Sequence, residues 1–102
     1  MSVIEILSSI ELLESTILLH AVKNIEDINQ LVSYEVPKIQ SSTSDQMILN
    51  LISGINFNWK IFSGQKYTEG YESFRQREMD LIISDCKNLK EYLNEMIKQK
   101  VH

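Results

Sequence analysis

MDLIISDCKNLKEYLNEM, residues 79 to 96, contains the apolar pattern that decides the fold. Its apolar residues recur every seven positions in two rows, which lie along one side of an α-helix. The two rows, called the seam from here on, are Met79, Cys86, Leu93 and Ile82, Leu89, Met96. Because the seam covers only about two and a half heptads, fewer than the three or four of a typical coiled coil, it favours an internal contact of a helical bundle. The alternative is a homodimer that pairs through the same six residues.

Outward from the seam, the spacing of apolar residues predicts four helices, at about 3–22, 25–35, 45–62 and 71–99. Ser2 and Glu5 have the spacing of a capping box, which predicts the start of the first helix. Pro37 is expected to end the second helix, because proline disfavours helix at the residue before it. The polar stretch 40–45 is expected to be a loop that caps the third helix. Since no Gly or Pro separates the first two helices, one continuous bent rod is an alternative.

Length and composition restrict the architecture. The chain has 102 residues, of which 43% are hydrophobic, with only three Gly and one Pro. Such a length is typical of one domain, and the scarcity of turn residues argues against many short strands. We therefore predict a single all-α domain over residues 1–102, folded as an antiparallel four-helix bundle.

Charge is unevenly distributed along the chain. The net charge is −4; residues 1–37 contain six acids and one base, whereas residues 38–102 contain eight acids and nine bases. An acidic region repels nucleic acid and attracts basic protein surfaces. The first candidates for partner binding are therefore Glu11, Glu14, Glu26 and Asp27. The alternative is that these acids only keep a helix surface hydrated.

Six of the eight aromatic residues lie between residues 55 and 74. Helical spacing assigns Trp59 and Phe62 to the core, and Tyr71 and Phe74 are expected there as well. Phe57 and Ile61 fall on another side of the third helix, where they form either a second packing face or an exposed patch. Exposed aromatic patches often mark interaction sites. The second set of partner-binding candidates is therefore Phe57, Ile61 and, in the following loop, Tyr67. The alternative is that Phe57 packs against the first helix and Tyr67 covers the end of the bundle.

The sequence has little to support catalysis or cofactor binding. His20, His102 and Cys86 lack the spacing of metal ligands, and no glycine-rich phosphate loop is present. We expect no enzyme activity, no metal and no cofactor. In the fourth helix the basic residues alternate with acids, so we also expect no nucleic-acid binding.

Function and compartment follow from these observations as hypotheses. The N-terminus has no basic segment of a signal peptide, the longest apolar runs are three residues, and the single cysteine excludes an internal disulfide. These features predict a cytoplasmic protein that does not enter a membrane. Its size and acidity favour a small protein-binding module that neutralises a basic partner, as a stoichiometric inhibitor, immunity protein or antitoxin would. The alternative is a structural homo-oligomer that assembles through the C-terminal helix.

Overall fold

The computed structural model describes residues 2–20, 25–64 and 71–100, apart from the side chains of residues 20, 25, 71–75 and 100. Its elements are α1 (Val3–His20), α2 (Ile25–Ser42), α3 (Gln46–Gly64) and α4 (Tyr71–Lys100). Each helix packs against two others in the ring order α1, α2, α3, α4. Asp45, at the start of α3, contacts Tyr92 near the end of α4, so these neighbours are antiparallel. The predicted all-α, antiparallel four-helix bundle is confirmed.

Helix α1 begins where the sequence predicts. The backbone amide of Glu5 donates to Ser2 Oγ, and the amide of Ser2 donates to Glu5 Oε1, each at 3.2 Å. These reciprocal bonds are the predicted capping box. Because α1 then packs against α2, the alternative of one continuous rod is wrong.

The prediction that Pro37 ends α2 is wrong, because the helix continues to Ser42. Val36 and Ile39, on either side of the proline, are both buried in the core. Pro37 itself is exposed, as is Ser33, whose carbonyl loses its helical donor. Water can therefore reach that carbonyl, and the buried contacts of the last turn outweigh the lost hydrogen bond.

The loop before α3 is shorter than the predicted stretch 40–45 and comprises residues 43–45. A carboxylate caps α3: Asp45 Oδ1 accepts the backbone amides of Met47 at 2.9 Å and Ile48 at 3.1 Å. The hydroxyls of Ser41 and Ser42, in the same predicted stretch, bond within α2. That of Ser42, for example, donates to the Ile39 carbonyl of its own helix at 2.8 Å.

The seam is an internal contact of the bundle. Ile82, Cys86, Leu89 and Leu93 are fully buried, and Met79 and Met96 pack at its edges. Four of the six residues named for a homodimer are thus buried within one protomer, whereas Met79 and Met96 are half-buried. Trp59 and Phe62 are buried as predicted, with the Trp59 indole donating to Asn29 Oδ1 at 2.6 Å. Tyr71 and Phe74, also assigned to the core, lie outside the described side chains.

Candidate functional site

Two of the predicted partner-binding residues, Glu11 and Phe57, lie on opposite sides of the bundle. Glu11 is on α1 and Phe57 is on α3. Among the described residues α1 contacts α2 and α4 but not α3, so these two helices are diagonal in the bundle. Because both side chains are exposed, they point away from each other. One small partner cannot cover Glu11 and Phe57 together, whereas Glu26 and Asp27 lie on α2, which packs against α3.

Glu14 is an internal residue of the bundle. Its carboxylate accepts a hydrogen bond from Lys90 Nζ of α4 at 2.6 Å, and the side chain is only 13% exposed. This bond raises the pKa of Lys90, so the lysine stays protonated near neutral pH. The second carboxylate oxygen, Glu14 Oε2, is buried without a hydrogen-bond partner. Glu14 therefore ties α1 to α4 and offers little charge to a partner.

Glu26 and Asp27 are exposed in the first turn of α2. Carboxylates at this end of a helix interact favourably with its dipole. That interaction accounts for both residues within the fold, although their exposure leaves them free to meet a partner.

Phe57 is 64% exposed on the outer side of α3, with Ile61 half-buried one turn further on. Tyr67 lies outside the described residues. Nearer the start of α3, a shallow groove of about 380 Å³ runs between α3 and α4. Its lining residues are Met47, Leu51, Asn88, Glu91, Tyr92 and Glu95. This side of the bundle is therefore partly apolar, but acids stand at the edge of its groove.

A third surface was missed by the sequence analysis. Four large aliphatic side chains of α1 are exposed, more than on any other described helix: Ile4, Leu12, Leu18 and Leu19. At 100° per residue they lie together on the side of α1 that faces away from the core. Between them lie Ser8, Glu11 and Ser15, which are also exposed. We call these seven residues the outer face of α1.

The outer face of α1 is apolar and bears only negative charge. Its charged members are Glu11 and, at its edge, Glu5, and residues 3–19 contain no Lys or Arg. Hydrogen bonds from Ser2 lower the pKa of Glu5, which keeps that carboxylate ionised. The surface thus combines exposed aliphatic groups with carboxylates that form no salt bridge with the described residues.

A signal for this face was present in the sequence. Ten of the eighteen residues of α1 are Val, Ile or Leu, more than one side of a helix needs to face a core. Leu18, one of these ten, is 62% exposed and does not belong to the core. Helical spacing alone did not show that the excess leucines face outward.

The described residues contain little that could carry out chemistry. Burial raises the pKa of the Cys86 thiol to about 12, with Glu14 and Asp85 adding to the effect, so the thiol is neutral and a poor nucleophile. No group of three or more His, Cys, Asp or Glu in the described part of the chain is placed to hold a metal ion. None of the described helices is long and apolar enough to cross a membrane.

By its fold the protein belongs to the class of antiparallel four-helix bundles. Comparisons with protein-family models, with curated proteins and with solved structures found no match, so the functional argument rests on the chain's own geometry.

Proposed function

We propose that this protein is a small protein-binding module that neutralises a partner protein by stoichiometric association, as an inhibitor, immunity protein or antitoxin does. One observation carries the proposal: among the described side chains eight large hydrophobic ones are 45–74% exposed, and four of them share one helix face. Exposed apolar groups clustered on a small domain are typical of interaction sites.

Charge supports a basic partner. The outer face of α1 carries Glu11, and Glu26 and Asp27 are exposed at the start of α2. Acidic surfaces accelerate association with basic proteins and disfavour nucleic acid. The cytoplasm is the proposed compartment, because the single thiol, Cys86, is free and buried. The alternative of a homo-oligomer through α4 has less support, since the seam is already covered by the bundle.

The test is affinity capture of the tagged protein from a lysate of its native cells, with the stoichiometry read by mass spectrometry. We expect one dominant basic partner at about 1:1, whose own activity falls as the protein is titrated in. Glu11→Lys should weaken the capture by reversing a charge on the acidic side. Recovery of only the protein itself, with light scattering reporting an oligomer, would contradict the proposal and favour self-assembly.

A further inference from the structure

The outer face of α1 has the shape that a second helix requires. Positions 4, 8, 11, 15 and 18 alternate steps of four and three, which is the spacing along which two helices pack. Within this line Ser8 and Ser15, on either side of Glu11, have small side chains that allow close approach. Leu12 and Leu19 flank the line on one side. With eighteen residues at 1.5 Å each, α1 offers a track about 27 Å long.

Covering this face leaves few polar groups without partners. The hydroxyl of Ser15 donates to the carbonyl of Glu11 at 2.9 Å and lies 3.2 Å from that of Leu12. It therefore needs no water and no group of a partner, so its desolvation costs little. The polar groups that do need compensation are the Ser8 hydroxyl and the Glu11 carboxylate, which make no side-chain hydrogen bond or salt bridge with the described residues, although Glu11 interacts through charge with Lys90.

The charges of the outer face of α1 favour one kind of binding partner over the others. A second copy that approached through the same face would bring the same acids and no base, so like charges would lie together. Membrane-surface helices are typically rich in Lys and Arg, which α1 lacks. A partner segment with basic residues beside its apolar groups can pair with Glu5 and Glu11.

We propose that the outer face of α1 binds an amphipathic helix of a partner protein, in which aliphatic residues are flanked by Lys or Arg. The partner helix adds a fifth helix to the bundle, packs between Leu12 and Leu18, and pairs its basic residues with Glu11. This assignment rests on the proposed function and specifies its partner and its surface.

The probe is a fluorescein-labelled 18-residue helical peptide with leucines at steps of three and four and lysines beside them. A second peptide carries Glu in place of every Lys. We expect the Lys peptide to bind with a dissociation constant on the order of micromolar, and the Glu peptide at least about tenfold more weakly, by fluorescence anisotropy. Raising the salt concentration from about 50 to about 300 mM should weaken binding of the Lys peptide and reduce the difference in affinity between the two peptides.

Two leucines of nearly equal exposure provide matched variants. Leu12 is 48% exposed on the outer face of α1, and Leu81 is 45% exposed on α4. Leu81 shares its side of α4 with Asn88, seven residues later, which lines the groove between α3 and α4. Leu12→Gln should weaken binding of the Lys peptide about tenfold, and Leu81→Gln should weaken it less than about twofold. Glu11→Gln should weaken it by about threefold.

The proposal is overturned if the Lys peptide does not bind, or if Leu12→Gln and Leu81→Gln weaken it equally. It is also overturned if the protein alone is a dimer that Leu12→Gln dissociates, since the occupant is then a second copy. Capture of a 1:1 partner that tolerates Leu12→Gln but is lost with Phe57→Gln would overturn this surface and leave the proposed function standing. Failure to capture any partner, with the peptide results as expected, would contradict the proposed function and not the chemistry of the face.

Discussion

Helices α1 and α4 pack side by side, yet only α4 has an outer side suited to water. Twelve of the thirty residues of α4 are charged, six acidic and six basic, and apart from Leu81 the exposed side chains described on it are polar. Of the eighteen residues of α1 only three are charged, all acidic, and four aliphatic side chains are exposed. Both helices bury one side in the same core. The difference indicates that the outer side of α1 is suited to contact with another molecule.

The comparison has an energetic basis. Each exposed leucine that becomes fully covered contributes on the order of 1–3 kcal/mol, whereas the mixed charges of α4 gain little from losing water. The opposite face, around Phe57, has one strongly exposed aromatic and a shallow groove. That face offers a partner fewer apolar groups than the outer face of α1.

The largest expected effect separates the two sides of α1. Leu13 is fully buried and its neighbour Leu12 is about half exposed. Leu13→Ala should lower the free energy of unfolding by about 2–5 kcal/mol through the lost contacts and the cavity that remains. Leu12→Ala should change it by less than about 0.5 kcal/mol, since alanine is a good helix former. Urea denaturation of both variants is the measurement, and a large loss for Leu12→Ala would show that its side is part of the monomer's core.

The next effect concerns the ion pair that ties α1 to α4. Lys90→Gln leaves the mostly buried Glu14 carboxylate without its cation and should cost about 2 kcal/mol, less than a fully buried pair because Lys90 is 26% exposed. The control is Lys98→Gln on the outer side of α4, where Lys98 and Glu95 are 72% and 65% exposed and a loss below about 0.5 kcal/mol is expected.

The contribution of this ion pair to the stability of the fold depends on pH in the alkaline range. The folded-state pKa of Lys90 is raised by its hydrogen bond to Glu14. Its contribution is therefore fully present below the unfolded pKa, about 10.4, and is lost as pH rises through the higher folded value. Equal losses for Lys90→Gln and Lys98→Gln in urea denaturation at neutral pH would contradict an internal role for Glu14.

The seam of α4 and the capping box of α1 could be predicted from sequence, because each depends on spacing within one helix. Pro37 was misassigned because tertiary burial of Val36 and Ile39 overrides a local preference. The outer face of α1 was missed for a related reason. Periodicity shows which residues share a side, but α1 is apolar all round, so only the neighbouring helices determine which side is covered.

The candidate site depended even more on tertiary structure. Glu11 and Glu14 are indistinguishable in the sequence, yet only Glu14 meets a lysine of a helix far along the chain. Similarly, Glu11 and Phe57 were assigned to one partner, whereas the ring order of the helices separates them. Exposure of Phe57 was one of two alternatives open from sequence, and the structure selects it.

The smallest expected effect concerns a contact between α3 and α4, on the side of α4 away from α1. Asp45 caps α3 and its Oδ2 accepts the Tyr92 hydroxyl of α4 at 2.7 Å. Asp45→Ala should cost about 1 kcal/mol at neutral pH, as for other lost caps. The control Asp80→Ala removes a carboxylate that accepts only from Gln76 on the exposed side of α4, and should be close to neutral.

The change of stability at acid pH tests which hydrogen bonds hold the Asp45 carboxylate. The Tyr92 hydroxyl, followed by the amides of Ile48 and Met47, lowers its pKa in the folded state. Its contribution is therefore present above the unfolded pKa, about 3.9, and is lost as pH falls through the lower folded value. Tyr92→Phe should raise the Asp45 pKa, measured by NMR titration, and shift this loss of stability to higher pH. If the Asp45 pKa did not move, the cap alone would hold the carboxylate, and apolar packing would position α4 on α3. Helix α1 is likewise positioned on α4 by apolar packing, apart from the Glu14–Lys90 ion pair.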